Sequence, residues 1–452
     1  MVGQLENLCY NSSVEKSEQK LDLNTRKPIS FSIEKKLSGS LGRVGTIKTA
    51  HGDIQTPAFV TVGTKATIKG VTPEMLESLG AEVALANTYH LYLQPGDEII
   101  RKAGGIHAFM NWQGPAMTDS GGFQAFSLGA AYGKNITKLT KVGAKNDAPL
   151  LLNLAKELDT DPAMKAAKID ENGVMFKSII DGSVHYFTPE KSIQIQHNIG
   201  ADMIFAFDEC TSPNEPFNYQ RQALDRTHRW AKQSLIAHLS NPVASSKQAL
   251  FGIIQGGRFE ELRKESAQIL ADMKVRVTVK DEDGNEREVE DGFDGFGIGG
   301  SFAKEDMSLA VSWINTILPE DKPRHLLGIG EAEDLFMAVE NGCDLFDCVM
   351  PTRNGRTGTL LTKYGKLNIT NAKFVDDFGP VEEGCACYAC KHYTRAYLNH
   401  LFKAKEMLAG TLASVHNLYF TINLVKKMRQ AILDDTFIAF KEDFLRLYKK
   451  AE

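Results

Sequence analysis

Short apolar runs recur along the chain from residue 50 onward, each followed by a longer stretch, and this rhythm constrains the fold most strongly. We count eight runs, at residues 56–63, 82–89, 115–122, 202–209, 250–257, 295–300, 324–330 and 344–351. Most are apolar on both faces, as strands of a buried parallel sheet are, and helix-like amphipathic segments separate most of them. Eight repeats of a strand and a helix predict an α/β fold of the TIM (β/α)8 barrel type. A doubly wound open sheet shows the same alternation and remains the alternative.

Polar side chains follow several of these runs at or just past their carboxyl ends. They are Asp119, Asp208, Gln255 and Asp347. The carboxyl ends of barrel strands form one face, where active sites are assembled from several strands. We therefore expect these four side chains to share one site, and this placement favours the barrel over the open sheet.

Two stretches interrupt the rhythm. Residues 129–172 follow the third run directly, so we expect them to emerge beside Asp119, with a slight preference for a role in covering substrate. Residues 275–293 alternate with period two about Asp283 and Gly284 and predict a charged, solvated hairpin at the opposite end of the barrel.

The remaining pattern divides the chain into three parts. Residues 1–28 are polar and predict a loosely ordered extension, residues 29–352 the barrel, and residues 353–452 an appended subdomain with a cysteine cluster and two long helical stretches. The chain is 42% hydrophobic, which is normal for a globular protein and too high for a disordered one. Its net charge of -5 means that any binding of nucleic acid would depend on a local basic patch.

Nothing in the sequence predicts a membrane segment. No apolar run approaches the roughly 18 residues that span a bilayer. The polar N-terminus lacks the apolar stretch of a secretory signal. We therefore expect a cytoplasmic protein.

Three of the seven cysteines lie close together and indicate a metal site. They are Cys385, Cys387 and Cys390. A tetrahedral zinc shell needs a fourth ligand, and His392, His400 and His416 are candidates. His392 would crowd all four ligands into one loop, so we predict His416, at the start of a predicted helix that could fold back. Such a closed shell would hold one structural Zn2+ per chain. Reduced cysteines without metal are the alternative.

Five motifs occur together in the chain. They are TDSGGFQ (118–124), FDEC (207–210), GIIQGG (252–257), FDCVMPTRNGR (346–356) and the cysteine cluster with its distant histidine. In this order they resemble the tRNA-guanine transglycosylases, and most closely the bacterial queuine tRNA-ribosyltransferases, over roughly residues 30 to 450 apart from the two inserts. The resemblance implies that guanine at the anticodon wobble position of certain tRNAs is exchanged for a 7-deazaguanine, either 7-aminomethyl-7-deazaguanine or queuine, in queuosine modification.

The resemblance implies that Asp347 is the nucleophile and Asp119 the acid/base. Cleavage of an N-glycosidic bond with retention requires two such carboxylates, about 5 Å apart. Asp347 would have to be ionised, whereas Asp119 would have to take up and return a proton. Because a covalent ribosyl-aspartate conserves the bond energy, no nucleotide cofactor is needed. The sequence contains no GxxxxGK[ST], and GFGIGG lacks the full spacing of a dinucleotide loop.

The resemblance also implies a site for the base and a surface for the tRNA. The residues assigned to the base are Asp119, Phe123, Asp208, Gln255 and the backbone N–H of Gly300. Arg353 and Arg356 resemble arginines that read the bases flanking the target nucleotide, for which a planar guanidinium is suited. Simple surface charge is the alternative for both arginines. Further basic residues that could form a local patch are Lys391, Arg395, Lys403 and Lys405. The resemblance suggests a homodimer through the zinc subdomain.

The segment SFAKE at 301–305 departs from the Leu-Ala-Val-Gly-Glu usual in the bacterial family. It would line the pocket beside the 7-substituent of the incoming base, so the choice of base stays open. The resemblance implies that Cys210, the residue of bacterial type at its position, favours the smaller base. Ala303 is smaller than the usual Val and mildly favours a roomier pocket. Leu327 stands where relatives often have methionine, a change of similar volume that should matter little.

Three other interpretations compete with a transglycosylase. A catalytically silent RNA-binding partner subunit would lack the nucleophile or the zinc ligands, and this sequence has both. A metal-dependent barrel hydrolase would present a His-x-His at a strand end, which none of the eight runs does. An archaeal-type relative would carry a further C-terminal RNA-binding domain, whereas this sequence stops at Glu452, soon after the predicted zinc helices.

Overall fold

The computed structural model of the chain describes residues 27–125, 167–212, 214–280, 284–300 and 306–448. The extension over residues 1–26, most of the first insert and the segment 301–305 lie outside these described residues. What we expect of them stays a prediction.

Strands and helices alternate through most of the described part of the chain. Its strands are β1 (Ser30–Lys36), β2 (Arg43–Thr49), β3 (Gly52–Thr56), β4 (Ala58–Val62), β5 (Ala84–Ala86), β6 (Ala116–Thr118), β7 (Ala167–Ile169), β8 (Val174–Lys177), β9 (Val184–Phe187), β10 (Met203–Phe205), β11 (Ala249–Ile254), β12 (Lys274–Lys280), β13 (Glu286–Gly292), β14 (Gly295–Ile298), β15 (Arg324–Leu326), β16 (Leu345–Cys348), β17 (Thr359–Thr362) and β18 (Gly365–Asn368). Its α-helices are α1 (Pro73–Ser78), α2 (Thr88–Leu93), α3 (Asp97–Lys102), α4 (Ile106–Met110), α5 (Pro189–Ile199), α6 (Phe217–Leu239), α7 (Pro242–Ser245), α8 (Glu260–Asp272), α9 (Met307–Asn315), α10 (Ala332–Glu340), α11 (Met350–Arg356), α12 (Tyr388–His392), α13 (Arg395–Ala404), α14 (Met407–Leu433) and α15 (Phe437–Tyr448). A 3-10 helix covers Ala372–Phe374.

The central feature is a closed barrel of parallel strands in the order β4, β5, β6, β10, β11, β14, β15, β16. Strand β16 pairs with β4, which closes the barrel. Each of the eight apolar runs overlaps one barrel strand, so the prediction of a TIM barrel is confirmed and the open sheet is wrong. Strand β11 shows why these runs are apolar throughout. Ala249, Phe251 and Ile253 pack inside the barrel, whereas Leu250 and Ile254 pack with the outer core.

Two three-stranded antiparallel sheets accompany the barrel in the described part of the chain. Strands β1, β2 and β3 form a sheet that we did not predict, and Ile47 and Ile54 from it pack with the first residues of several barrel strands. This sheet therefore covers the amino-terminal end of the barrel. Strands β7, β8 and β9 form a second sheet, which includes the end of the first insert.

Strands β12 and β13 form the hairpin that the period-two alternation predicts, with Lys274 opposite Gly292. One face of this hairpin is packed, because Val275, Val277 and Val279 are buried. The hairpin is therefore part of the packed structure on one face and solvated on the other, rather than solvated throughout as we predicted.

The C-terminal region contains the β17–β18 hairpin and the helices α12 to α15. We predicted two long helices, but a third, α13, precedes them, and α14 begins at Met407, well before His416. Helix α14 packs on α11 and also reaches the N-terminal sheet, where Arg429 donates to the carbonyls of Gly45 and Thr56. The boundary at residues 352 and 353 stays a prediction.

No helix in the described part of the chain is both long and apolar enough to cross a membrane.

Candidate active site and metal cluster

A cavity of about 740 Å³ opens at the carboxyl ends of the barrel strands. The four polar residues that follow the apolar runs all line it. These are Asp119 after β6, Asp208 after β10, Gln255 after β11 and Asp347 within β16. Phe123, Gly300 and Arg353 line the same cavity. The structure therefore brings seven of the residues singled out in the sequence to one place.

Asp119 lies at the buried wall of the cavity. Its Oδ1 accepts a hydrogen bond from the backbone N–H of Thr88 at 2.8 Å, and its Oδ2 accepts from the side chains of Asn87 and Gln124. Burial raises the pKa of Asp119 to about 6, although these hydrogen bonds act in the opposite direction, and the charge of Asp347 raises it further. A carboxyl group with such a pKa can hold and release a proton near neutral pH.

Asp208 and Gln255 form a buried polar pair beside Asp119. Gln255 Nε2 donates to Asp208 Oδ2 at 2.8 Å, and Ser120 Oγ donates to Oδ1 at 3.0 Å. Burial raises the pKa of Asp208 to about 6, with smaller contributions from the charges of Asp119 and Glu209. Gln255 Oε1 is buried and makes no hydrogen bond within the described residues. Because such an atom is costly to leave without a partner, it favours a polar ligand in the cavity.

Gly300 brings its backbone close to this pair. Its φ of +100° is strained for other residues, and a Cβ there would lie 2.9 Å from Gln255 Oε1. The buried Arg263 holds the neighbouring loops, donating from Nη1 to the carbonyl of Gly299 at 2.6 Å and from Nε to that of Gly257 at 2.9 Å. We did not predict Arg263, which in the sequence is one of several charged residues of an amphipathic helix.

Asp347 is held by two donors on a single oxygen. His325 Nε2 lies 2.8 Å from Oδ1, and the backbone N–H of Gly328 lies 3.1 Å from the same atom. Within the described residues no group donates to Oδ2. His325 is completely buried, with its ring edge-to-face on Phe205. Its Nδ1 has no hydrogen-bond partner in this part of the chain, so the Nε2–H tautomer donates to the carboxylate.

Sequence reasoning missed His325. The residue lies inside an apolar run, on strand β15, and its partner lies on the adjacent strand β16. One signal in the sequence could have found it. His325 is a polar residue within an apolar run, and a buried imidazole needs a hydrogen-bond partner, which the adjacent strand with Asp347 could supply.

The apolar walls of the cavity include Phe123 and Leu327. Phe123 is 51% exposed among the described residues, so its ring can contact a ligand. Cys210 also lines the cavity. The segment 301–305, where we expect contact with a 7-substituent, lies outside the described residues.

Arg353 and Arg356 lie on α11, directly after the strand of Asp347. Both are exposed, and Arg353 lines the cavity whereas Arg356 donates to the carbonyl of Thr352. Arg395 pairs with Asp377 at 2.9 Å, so its charge is already partly neutralised. The other basic residues that we expect in a local patch are all exposed: Lys391, Lys403 and Lys405.

The three clustered cysteines and His416 lie together in the C-terminal region. Nδ1 of His416 is 3.9, 3.4 and 3.3 Å from the sulfurs of Cys385, Cys387 and Cys390. His416 Nε2 lies 2.7 Å from the carbonyl oxygen of Leu361, to which it donates, so the lone pair of Nδ1 faces the sulfurs. This largely buried cluster could hold a metal ion. The candidates His392 and His400 are not part of it.

Comparisons with known proteins identify similar sequences along nearly the whole chain. A family model described as queuine tRNA-ribosyltransferase matches residues 38–150 and 158–450. Proteins named queuine tRNA-ribosyltransferase from Caldanaerobacter subterraneus subsp. tengcongensis and Natranaerobius thermophilus are each 44% identical over 93% of this chain, which corresponds to 98% and 99% of those proteins. A protein of the same name from Streptococcus sanguinis is 43% identical over 93% of this chain and 97% of its own length.

Proposed function

Because this chain belongs to the queuine tRNA-ribosyltransferase family, we propose that it is a tRNA-guanine transglycosylase, a pentosyltransferase that exchanges guanine at the wobble position of tRNA for a 7-deazaguanine. The observation that carries this proposal is that Asp119 and Asp347 line one cavity in different surroundings. Asp119 is half-buried at the cavity wall and has a raised pKa, whereas Asp347 has an oxygen that accepts no hydrogen bond from the described residues.

The first half of the reaction is a displacement at C1′ of the target ribose. Oδ2 of Asp347 attacks C1′ while Oδ1 stays bonded to His325 and Gly328. The bond from C1′ to N9 of guanine breaks, its electron pair moves onto the base, and the base takes up the proton held by Asp119. His325 is a positioning residue in this step, since it touches the nucleophile and not the substrate.

The second half reverses these events with a different base. The incoming 7-deazaguanine gives a proton to Asp119, and its N9 forms the new bond to C1′ as Asp347 leaves. Atoms and charges balance across the two halves, so no further reactant is required. Two displacements retain the configuration at C1′.

The base is recognised by its edge and its face. Asp208 and Gln255 bind the polar edge, and Gln255 Oε1, which has no partner among the described residues, gains one from the base. The backbone N–H of Gly300 donates to the carbonyl oxygen of the base, and the ring stacks on Phe123 with Leu327 on its other side. A purified exchange assay in which the two candidate bases compete directly would show which 7-deazaguanine the protein incorporates.

We propose that Arg353 and Arg356 contact the bases next to the target nucleotide, because both are exposed and Arg353 reaches the mouth of the cavity. Lys391, Lys403 and Lys405 add local positive charge for the tRNA backbone. We further propose that the protein acts in the cytoplasm as a homodimer formed through its C-terminal region. Sedimentation that finds only monomer would contradict the dimer.

The metal that we propose for Cys385, Cys387, Cys390 and His416 is zinc. Three thiolates and one imidazole nitrogen are a typical zinc shell, and the orientation of His416 by Leu361 suits it. When bound, zinc supplies no chemistry to the base exchange and joins a loop to helix α14.

The function is tested by incorporation of labelled guanine into tRNA. We expect Asp347→Ala to abolish incorporation while the folded structure is retained, because no covalent intermediate can form. The surface variant Asp376→Asn is the matched control and should keep wild-type activity. Wild-type protein that binds tRNA but never exchanges guanine would contradict the proposal and indicate a silent partner subunit, whereas incorporation by Asp347→Ala would contradict the nucleophile.

A further inference from the structure

A second group of metal-ligating side chains lies at the other end of the barrel from the cavity. It consists of His51, His107 and Asp202, whose ligand atoms all lie within 4.8 Å of one another. Asp202 directly precedes strand β10, whereas Asp208 follows it. At about 3.3 Å per residue, these two carboxylates are separated by roughly 20 Å.

The three side chains come from three separate elements. His51 lies in the turn between β2 and β3, His107 lies in α4, and Asp202 lies at the start of a barrel strand. Nδ1 of His51 is 2.7 Å from Asp202 Oδ1, and Nε2 of His107 is 3.1 Å from Oδ2. The backbone N–H of Ala116 donates to Oδ2 at 2.8 Å and fixes the orientation of the carboxylate. A ligand oriented in this way is typical of metal sites.

The arrangement of the two rings suits a cation. The imidazole rings are stacked with centroids 3.5 Å apart and an angle of 14° between their planes. Each ring therefore places one nitrogen beside one oxygen of the Asp202 carboxylate. Neutral imidazole nitrogens and a carboxylate oxygen are common metal ligands.

The exposure of the group provides both rigidity and access. The side chain of Asp202 is 1% exposed and that of His107 is 12% exposed, whereas that of His51 is 40% exposed. An ion could therefore enter past His51, and water could complete its coordination. Two imidazole nitrogens and one carboxylate select zinc, cobalt or nickel over calcium or magnesium, which prefer oxygen ligands.

We propose that His51, His107 and Asp202 bind a divalent transition-metal ion such as Zn2+, Co2+ or Ni2+. The ion would join the N-terminal sheet to the first residues of the barrel. This site is independent of the proposed base exchange, because it lies at the far end of the barrel and uses none of the residues that line the cavity.

Metal titration of the full chain tests this site. Protein with its Cys3His cluster loaded with zinc is dialysed without strong chelator and titrated with Ni2+ by calorimetry, and with Co2+ by absorption. We expect one additional equivalent to bind, and the bound Co2+ should give ligand-field bands without the thiolate charge-transfer band of a cysteine site.

His51→Ala and His107→Asn should each weaken this binding at least tenfold. His400→Ala changes another exposed histidine and should bind the ion like the wild type. Because His51 lies in an exposed turn, its replacement should leave the fold and base exchange unchanged, which thermal unfolding and guanine incorporation would verify. Wild-type protein that takes up no second ion, or His51→Ala that takes it up equally well, would overturn the proposal and leave a hydrogen-bonded cluster.

Discussion

Asparagine in place of Asp119 should remove a loss of stability that the wild type suffers between acidic and neutral pH, and it should remove base exchange. In the folded state the pKa of this carboxyl group is raised from its ordinary value of 3.8 to about 6. The folded protein therefore binds the proton more tightly than the unfolded chain does. Stability consequently falls as the pH rises from about 4 to about 6 and then stays low.

The size of this effect follows from the shift in pKa. A shift of roughly two units corresponds to about 3 kcal/mol of unfolding free energy above pH 6. Asp119 is half-buried rather than exposed, so solvent screens this free energy only in part. Asparagine cannot ionise, so Asp119→Asn should gain about 2 kcal/mol relative to wild type between about pH 4.5 and about pH 7.5. Any cost of rearranging the amides of Asn87 and Gln124 is the same at both pH values and cancels.

Urea unfolding at the two pH values measures this difference, and incorporation of labelled guanine measures the loss of activity, which we expect to be about 10²-fold to 10⁴-fold. Asp443→Asn, which changes an exposed carboxylate, is the control and should show no comparable gain. The raised pKa would be refuted if Asp119→Asn and wild type differed in unfolding free energy by the same amount at both pH values. Undiminished exchange would refute the acid/base role.

Three further predictions concern other parts of the site. His325→Phe removes the donor to Asp347 but keeps an aromatic ring, so kcat should fall about 10-fold to 100-fold with little change in KM for tRNA. His325→Gln should recover part of the lost kcat. Equal kcat in the wild type and both variants would contradict a positioning role. Cys387→Ser should reduce zinc from about one equivalent towards none by elemental analysis and lower the melting temperature. Zinc content equal to that of wild type would exclude this cysteine as a ligand. Gly300→Ala places a Cβ 2.5 Å from Arg263 Nη2 and 2.9 Å from Gln255 Oε1, on a backbone with φ of +100°. The loop must therefore shift, and KM for guanine should rise about tenfold or more. An unchanged KM would contradict close approach of the base to this backbone.

The barrel could be predicted because its strands are buried on both faces. Such strands leave an apolar run in the sequence whichever residues they contact, and β11 illustrates this with inner and outer faces both packed. The N-terminal sheet could not be predicted in this way. Strand β1 alternates between exposed and half-buried residues, so it leaves no apolar run, and its pairing with β2 is a tertiary contact.

The candidate site was predictable to the extent that its residues follow strands or form known motifs. Asp119, Asp208, Gln255 and Asp347 follow apolar runs, and the closed barrel places them at one cavity. The supports of these side chains were not predictable. His325 and Arg263 are buried polar residues whose partners come from other elements, and spacing along the chain does not reveal such pairings.

Because of helix α14, the C-terminal region is not a module that could be exchanged independently of the barrel. With 27 residues at 1.5 Å each, the helix is about 40 Å long. In its first half it contributes His416 to the cysteine cluster, and near its end it carries Arg429, which bonds to the N-terminal sheet beneath the barrel. Recombination that moved only the cysteine loop would separate it from His416. Recombination that moved the whole helix would remove contacts beneath the barrel from which the helix came. The barrel and the cysteine cluster therefore share one helix, and neither is structurally independent of it.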